Sequence, residues 1–130
     1  MASIFSKIVA GEIPCHKIAE TENYLAFLDV FPLVKGHTLV IPKKEIDYIF
    51  DMEDDQLAGL NIFAKKVAKA VKQAIPCERI GVSVIGLEVP HTHIHLVPMN
   101  VMNDMNFTRA KMKIEEEEMK QIAENIRQYL

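Results

Sequence analysis

Three histidines stand at alternate positions in the segment PHTHIHLVP, at His91, His93 and His95. Successive side chains of an extended strand point to opposite faces, so these imidazoles are predicted to share one face. Imidazole titrates near neutral pH, and a cluster of such groups suits proton transfer or nucleophilic attack. The plainer alternative is a half-buried strand whose polar face happens to carry imidazoles. Because the chain has five histidines and three of them fall within this short run, we favour the catalytic interpretation.

A shared metal ion is the main chemical alternative for this histidine run. At a rise of ~3.3 Å per residue, the backbones of His91 and His95 lie about 13 Å apart, too far for both to bind one zinc at ~2.1 Å. A neighbouring pair could share an ion only with a third ligand from elsewhere, and the sequence contains no HExxH or Cys-x-x-Cys motif. We therefore expect no metal at the site and catalysis by imidazole itself.

The middle histidine is the best candidate for a nucleophile. His93 has an imidazole on each side that can help to hold its tautomer and orientation. A neutral imidazole can attack phosphorus, and water can resolve the labile phosphohistidine that results, so that two easier displacements replace one difficult step. This chemistry suits a reaction at a phosphorus centre.

The elements that must position these residues are predicted from the hydrophobic pattern. Apolar residues at spacings of three and four predict a long helix over residues 54–75 and a short helix that begins near Ile4 and is capped by Gly11. They also predict a last helix whose apolar stripe runs from Met119 to Leu130, with the acidic run 115–118 at its positive end. Residues 99–112 have no clear period and are interpreted as a mobile connection that folds against the domain. Strands are predicted at residues 17–20, 24–30, 37–42, 79–85 and 91–97, and the last two are predicted to be joined by a tight turn at residues 86–88. The expected class is α+β, with an antiparallel sheet of about five strands covered by helices.

Length and composition indicate one globular domain that spans residues 1–130, of which 49% are hydrophobic. The formal net charge of −3 argues against a nucleic-acid-binding surface of basic residues. The sequence has no run of eighteen apolar residues and no secretory leader, so we expect a cytoplasmic protein that does not bind membranes. Cys15 and Cys77 fit neither a disulfide framework nor a redox pair.

Four segments of the chain resemble, in the same order, those of the histidine-triad (HIT) family. HTHIHLV resembles the motif that names the family, and three earlier segments also match: IFSKIVAGEIP (4–14), LAFLDV (25–30) and GHTLVIPKK (36–44). Four segments are far more specific than the triad alone. The resemblance implies a HIT-like fold, a purine nucleotide or nucleotide conjugate as ligand, and a homodimer formed through the long helix and the strand 79–85. We expect no cofactor.

The resemblance also assigns roles to the histidines. It places a covalent nucleotidyl intermediate on His93, and it has His91 and His95 orient that residue and contact phosphate oxygens. His37 completes the cluster from a neighbouring strand, although by itself it would be explained equally well as a surface residue.

The substrate-binding residues are implied in the same way. Asp29 matches the carboxylate that accepts hydrogen bonds from both ribose hydroxyls. Glu88 matches a position where many bacterial relatives also have glutamate, and a simple turn carboxylate is an equal alternative. The purine pocket is implied to be lined by four apolar residues that could also belong to the core: Phe5, Ile8, Phe27 and Val30.

The chain departs from the family pattern at several positions. Leu87 stands where many members have a glutamine that donates to the phosphates, and the loop 85–87 is shorter than usual, so two polar phosphate contacts are missing. Zinc-binding members carry two cysteines and a histidine where this chain has Ser3, Ser6 and Glu45. We therefore expect no structural zinc, and activity that is weak or directed at a different leaving group.

These observations predict a metal-independent nucleotide hydrolase or transferase. It would act at the α-phosphorus of a nucleoside phosphoramidate or of a dinucleoside polyphosphate. Two alternatives stay open: a nucleotide-binding regulatory protein with weak or no turnover, and, less favoured, a metalloprotein that uses two adjacent triad histidines. The group that protonates the leaving group is not identified by the sequence.

Overall fold

The computed structural model describes residues 2–130, which form a five-stranded antiparallel sheet and three α-helices. The helices are α1 (Ile4–Val9), α2 (Asp54–Ala74) and α3 (Glu116–Arg127), and the strands are β1 (Lys17–Glu20), β2 (Tyr24–Leu28), β3 (Thr38–Pro42), β4 (Arg79–Ser83) and β5 (Ile94–Met99). The strands lie in the order β1-β2-β3-β5-β4. The predicted α+β class is confirmed. None of the described helices combines the length and the apolar character that a membrane span requires.

The larger hydrophobic core lies between one face of the sheet and the helices α2 and α3. Asp54 and Asp55 occupy the first turn of α2, where carboxylates interact favourably with the positive end of the helix. The apolar stripe of the helix then faces the sheet. The buried residues of the stripe pack against α3 and the sheet. This core includes Leu60, Val67 and Val71 of α2, Ile122 and Ile126 of α3, and the strand residues Ala26, Val40 and Leu96. Each fully buried large aliphatic side chain contributes about 1.5–3 kcal/mol, so this layer holds the sheet in place.

The opposite face of the sheet carries a smaller core that is covered by α1. Ser3 begins the helix, since its hydroxyl oxygen accepts a hydrogen bond from the Ser6 amide at 3.0 Å. Gly11 follows the helix with a φ of 81°, a conformation that favours glycine. The helix thereby places Phe5 against the sheet. The buried residues of this smaller core are Phe5, Leu25, Phe27, Leu39 and Ile41.

The strand register connects the smaller core to the histidines. Phe27 on β2 is paired with Leu39 on β3, and Leu39 is in turn paired with His95 on β5. Residues directly opposite one another in an antiparallel sheet lie on the same face. His95 therefore lies on the face that carries Phe27 and Phe5, away from the helices α2 and α3.

The boundaries of β4 and β5 differ from those predicted. β5 begins at Ile94, because Thr92 donates hydrogen bonds from both its amide and its hydroxyl to the Ile46 carbonyl, each at 2.7 Å. The chain before β5 is thus held by the loop after β3. The predicted tight turn at residues 86–88 is wrong, since β4 ends at Ser83 and the irregular connection runs over residues 84–93. Pro90 in this connection has no amide proton to donate to a strand ladder.

Candidate active site

Three imidazoles meet at the point where β3 begins and β5 enters the sheet. The ring centroids of His37 and His95 are 5.2 Å apart, and those of His93 and His95 are 4.9 Å apart. His37 is 1% exposed, His95 8% and His93 7%, so the cluster is buried and does not lie on an open strand face. The structure therefore brings His37 together with two members of the predicted triad.

The position of His37 depends on the glycine before it. Gly36 has a φ of 89°, and a Cβ atom at this position would lie 2.8 Å from Ile75 Cγ1 and 3.3 Å from Pro98 Cγ. Both the backbone conformation and the close approach of these side chains require glycine. The chain can then turn directly into β3 with His37 facing the cluster.

The tautomer of His93 follows from its hydrogen bond to the backbone. Its Nδ1 lies 2.7 Å from the His91 carbonyl oxygen. A carbonyl oxygen only accepts, so Nδ1 carries the proton and, in the neutral ring, Nε2 carries the free lone pair. The ring is held between the edges of two others, with centroid distances of 5.0 Å to Phe5 and 4.9 Å to His95. His93 is thus oriented as a nucleophile requires.

A second chain of hydrogen bonds fixes the tautomers of His37 and His95. The Leu33 amide donates to His37 Nδ1 at 3.0 Å, so the proton of the neutral His37 ring lies on Nε2. His37 Nε2–H then donates to His95 Nδ1 at 2.9 Å. The proton of His95 consequently lies on Nε2, where it remains available to an acceptor such as a phosphate oxygen.

Burial keeps these two imidazoles neutral. It lowers the pKa of His37 to about 4, with further lowering by the charges of Lys111 and His93. It lowers the pKa of His95 to about 3, with further lowering by His37 and His93. Loss of hydration disfavours the charged form of a base, which explains the direction of both shifts. At neutral pH the two rings act as hydrogen-bonding groups without net charge.

His91 supports the cluster from behind. Its side chain is fully buried, its Nε2–H donates to the Pro42 carbonyl at 2.8 Å, and its Nδ1 accepts from the Ser3 hydroxyl at 2.8 Å. Burial lowers the pKa of His91, so this ring is also neutral. Both ring nitrogens are used within the protein, and His91 reaches His93 through its backbone carbonyl. This geometry does not bear out the implied contact between His91 and phosphate.

Asp29 lies beside the cluster, at the end of β2. Its Oδ1 accepts a hydrogen bond from the Phe31 amide at 2.8 Å, and its Oδ2 lies 3.6 Å from His37 Nε2. Within residues 2–130, Asp29, His37 and His95 are the one group of potential metal ligands, with ligand atoms that lie within 4.8 Å of one another. The two imidazoles already share a proton in their hydrogen bond, so both nitrogens are satisfied without an ion.

The predicted purine-pocket residues lie on the other side of His93. Phe5 and Phe27 pack edge to face with ring centroids 5.6 Å apart, and Phe5 also contacts His93. Ile8 packs against the same small core. Three of the four predicted residues therefore belong to a core that packs directly against the histidine cluster.

A family model described as the HIT domain matches residues 10–102 of the chain. The chain belongs to the HIT family. An adenosine 5′-monophosphoramidase of Schizosaccharomyces pombe is 37% identical to this HIT protein over 128 residues, which cover 97% of this chain and 96% of the relative. The resemblance to the family inferred from the four sequence segments is thus confirmed.

Solved structures of HIT proteins share this fold. A HIT-like protein from Bartonella henselae superposes with a TM-score of 0.86 at 31% identity, over 98% of this chain and 96% of the other. A zinc-bound histidine triad family protein from Mycobacterium smegmatis superposes with a TM-score of 0.81 at 26% identity, over 99% and 93% of the two chains.

The zinc positions implied by the resemblance form a hydrogen-bonded group in this HIT protein. Glu45 Oε1 accepts from the Ser3 amide and from the Ser6 hydroxyl, each at 2.6 Å, and Ser3 in turn donates to His91. The hydrogen bond from the Ser6 hydroxyl and that from the Ser3 amide lower the pKa of Glu45 to about 2. Structural zinc sites use thiolate and imidazole ligands, so two hydroxyls and a carboxylate are a poor match for this ion. Here the hydrogen bonds connect the start of α1 to Nδ1 of His91.

The segment after β5 folds against the domain, as predicted, and it covers one side of the cluster with Phe107, a contact that was not predicted. The Phe107 ring centroid lies 4.7 Å from that of His95 and 6.2 Å from that of His37. Two backbone acceptors of the loop before His37 hold the segment, since Arg109 donates to the Leu33 carbonyl and the Met112 amide donates to the Pro32 carbonyl. Phe107 is the one aromatic residue in the range 99–112, and that is the signal that could have identified it.

Two predicted substrate-binding residues lie outside this constellation. Val30 is 57% exposed and borders a separate open groove of about 620 Å³, which is also lined by His16 and Arg127. Glu88 is exposed, and its carboxylate takes part in no hydrogen bond or ion pair with the rest of residues 2–130. The structure does not bring either side chain into contact with the histidines.

Proposed function

We propose that this HIT protein hydrolyses nucleotide conjugates at the α-phosphorus, through a nucleotidyl group carried transiently by His93. The observation that carries this proposal is the hydrogen bond from His93 Nδ1–H to the His91 carbonyl at 2.7 Å, which leaves Nε2 unprotonated. The S. pombe relative described above as an adenosine 5′-monophosphoramidase supports a nucleoside phosphoramidate as one substrate. A dinucleoside polyphosphate is the other.

The proposed reaction consists of two displacements at one phosphorus atom. In the first, the lone pair of His93 Nε2 forms a bond to the α-phosphorus while the bond to the leaving group breaks. In the second, water attacks the same phosphorus and the bond to His93 breaks. The net change is the addition of one water: its oxygen stays on the nucleoside monophosphate, and one of its hydrogens ends on the leaving group.

The other histidines position and stabilise the reacting groups. His95 is neutral, and its Nε2–H can donate to a phosphate oxygen as charge develops there. His37 acts through His95, because its Nε2–H donates the hydrogen bond that fixes the His95 tautomer. His91 acts through its carbonyl oxygen, which fixes the tautomer of His93. We assign His37 and His91 as positioning residues.

The nucleoside is proposed to bind between α1 and the end of β2. Phe5, Ile8 and Phe27 would contact the base, with Val30 at the outer edge of the pocket. Asp29 would accept from the ribose hydroxyls, since each carboxylate oxygen retains lone pairs beyond the contacts described above. Glu88, on the connection that leads to His91, would contact the substrate only from the solvent side.

A nucleotide-binding regulatory protein with weak or no turnover is the second candidate. Leu87 favours it, because this side chain is 88% exposed at a position where many relatives have a phosphate-binding glutamine. The same pocket would then bind a nucleotide without rapid chemistry.

We also propose that two copies associate through the free edge of the sheet. β4 is an edge strand, and apolar side chains on it and just after it are exposed: Val82 by 62%, Val84 by 38% and Ile85 by 43%. Exposed apolar edges tend to pair with another chain. Ile62 on α2 is 59% exposed and would extend this surface. A sedimentation experiment that returned only a 14.8 kDa species at micromolar concentration would exclude the dimer.

A cytoplasmic location is proposed as well. Cys15 and Cys77 are both free thiols, as is usual for proteins of a reducing compartment.

The decisive experiment for the proposed chemistry is rapid quench of the wild-type protein with labelled adenosine 5′-phosphoramidate, followed by mass spectrometry of the peptide that contains residues 91–97. We expect a nucleotidyl group on His93. The variant His93→Gly should lose several powers of ten in turnover, retain nucleotide binding, and recover part of its rate when imidazole is added. The matched control is His16→Gln, outside the cluster, which should change little. Turnover without the adduct, together with a near wild-type rate for His93→Gly, would place the nucleophile elsewhere.

A further inference from the structure

Lys111 is a cation at the edge of the histidine cluster that the proposed reaction does not yet use. Its Nζ lies 5.9 Å from the centre of the Phe107 ring, and that ring packs against His95 with centroids 4.7 Å apart. The side chain of Lys111 is exposed, whereas the imidazoles beneath Phe107 are buried. The ammonium group thus lies on the solvent side of the cluster, where the end of a bound substrate would emerge.

The backbone on each side of Lys111 is anchored. Arg109 donates to the Leu33 carbonyl, and the Met112 amide donates to the Pro32 carbonyl at 2.8 Å. Both acceptors belong to the loop that carries His37. The backbone position of Lys111 relative to the cluster is therefore set by the fold.

The charge of Lys111 is not neutralised by a carboxylate. Its Nζ donates to the carbonyl oxygens of Phe107 and Arg109, at 2.6 and 3.5 Å, and within residues 2–130 it forms no ion pair. Two other cations of the neighbouring loops are paired with carboxylates: Lys35 with Glu118 and Arg109 with Asp104. Lys111 is thus an ammonium group available to an anion.

The electrostatic field of Lys111 reaches the histidine cluster. Its charge is one of the causes that lower the pKa of both His37 and His95. Because His37 and His95 are neutral and Asp29 is an acidic residue, these buried groups offer no fixed positive charge to a substrate with several phosphates. A neighbouring cation is needed to bind such a substrate well.

We propose that Lys111 binds the phosphates of the leaving group, beyond the α-phosphorus, and so directs this enzyme toward nucleotide conjugates with an anionic leaving group. Dinucleoside polyphosphates are the substrate class that fits. A phosphoramidate offers only an uncharged amine at this point, so Lys111 contributes little to its turnover. The inference rests on the function proposed above and narrows it.

The test compares two substrates in three variants. Lys111→Met keeps the aliphatic stem but removes the charge, Lys111→Arg keeps the charge, and Lys113→Met removes an exposed lysine of the same segment as a matched control. The measurement is kcat/KM for diadenosine tetraphosphate and for adenosine 5′-phosphoramidate at fixed ionic strength. Binding of both nucleotides to each variant is measured in parallel by calorimetry.

We expect Lys111→Met to lose roughly tenfold to a hundredfold in kcat/KM for the tetraphosphate and far less for the phosphoramidate, as for the loss of one charge-assisted contact. Lys111→Arg should recover most of that loss, and Lys113→Met should resemble wild type with both substrates. Equal losses on the two substrates, or the same loss in Lys113→Met, would overturn the inference.

The binding data keep this inference separate from the proposed chemistry. If the wild-type protein hydrolyses neither nucleotide yet binds the tetraphosphate less tightly after Lys111→Met, the proposed hydrolysis fails and the role of Lys111 stands. If hydrolysis is rapid and Lys111→Met changes neither binding nor turnover, the hydrolysis stands and the role of Lys111 is wrong.

Discussion

Acidification should destabilise this protein more steeply than its net charge suggests, because the folded state holds buried histidines in their neutral form, and the pKa is lowered most clearly for His37 and His95. The pKa of His37 is lowered to about 4 and that of His95 to about 3, from an ordinary value of 6.5. Between pH 6.5 and 4 the unfolded chain takes up protons that the folded chain does not. The stability that the folded protein has with these two histidines neutral is therefore fully present above pH 6.5 and is lost progressively as the pH falls.

The size of the effect follows from the pKa values. One pKa unit corresponds to about 1.4 kcal/mol, so at pH 5 each of the two histidines should cost about 2 kcal/mol and both together about 4 kcal/mol. Domains of this kind are stable by about 5–15 kcal/mol, so this loss is a large fraction of the total. Urea unfolding, followed by circular dichroism at pH 7.5, 6.5, 5.5 and 5.0, measures it directly.

A variant without one of the two groups supplies the control. His37→Asn should be less stable than wild type near neutral pH, but the loss of stability between pH 7.5 and 5.0 should be smaller than in wild type by about 2 kcal/mol, because His37 no longer titrates. A free energy of unfolding that stays constant within about 1 kcal/mol over this range in the wild type would refute the reasoning. So would an unchanged pH dependence in His37→Asn.

Three other predictions concern the ribose, the metal and the turn before β3. Asp29→Asn should weaken binding of ribonucleotides more than of deoxyribonucleotides, by ~1–3 kcal/mol in calorimetry, whereas equal losses would indicate a structural role. Hydrolysis of adenosine 5′-phosphoramidate should persist in excess EDTA, and a loss that zinc or manganese restores would favour the metalloprotein alternative. Gly36→Ala should lower the free energy of unfolding by ~1–3 kcal/mol more than Gly11→Ala, because both positions have positive φ but only Gly36 is crowded by Ile75 and Pro98. Equal costs in urea unfolding would remove the steric part of this explanation.

The sequence was most informative where a regular period decided the structure. The apolar stripe over residues 54–75 and the β-branched runs predicted α2 and the five strands, because burial of one face imposes those periods. Ends of elements were less predictable. The expected stripe of the last helix reached Leu130, but α3 ends at Arg127 and Leu130 is 55% exposed.

The candidate site was predictable in its residues and less so in its geometry. His37 and His95 were expected to meet, and they do, because β3 pairs with β5. The segment from His91 to His93 was expected to be a strand, but hydrogen bonds from Thr92 to the distant Ile46 carbonyl hold it in another conformation, and no local pattern encodes that partner. Phe107 lies on a segment without a period, so its packing on His95 depends on tertiary anchors alone.

The backbone amide of Leu33 fixes the direction of the hydrogen bonds through the histidine cluster. An amide proton does not dissociate near neutral pH, so while both rings are neutral the hydrogen bonds run in one direction, from Leu33 to His37 and on to His95. A scan of side-chain replacements would not detect this contribution, since replacing the Leu33 side chain leaves its N–H in place. For protein design, the consequence is that three alternating histidines do not by themselves reproduce this hydrogen-bonded cluster. A motif transplanted into another protein would also need the loop over residues 29–37, which contains the Leu33 amide.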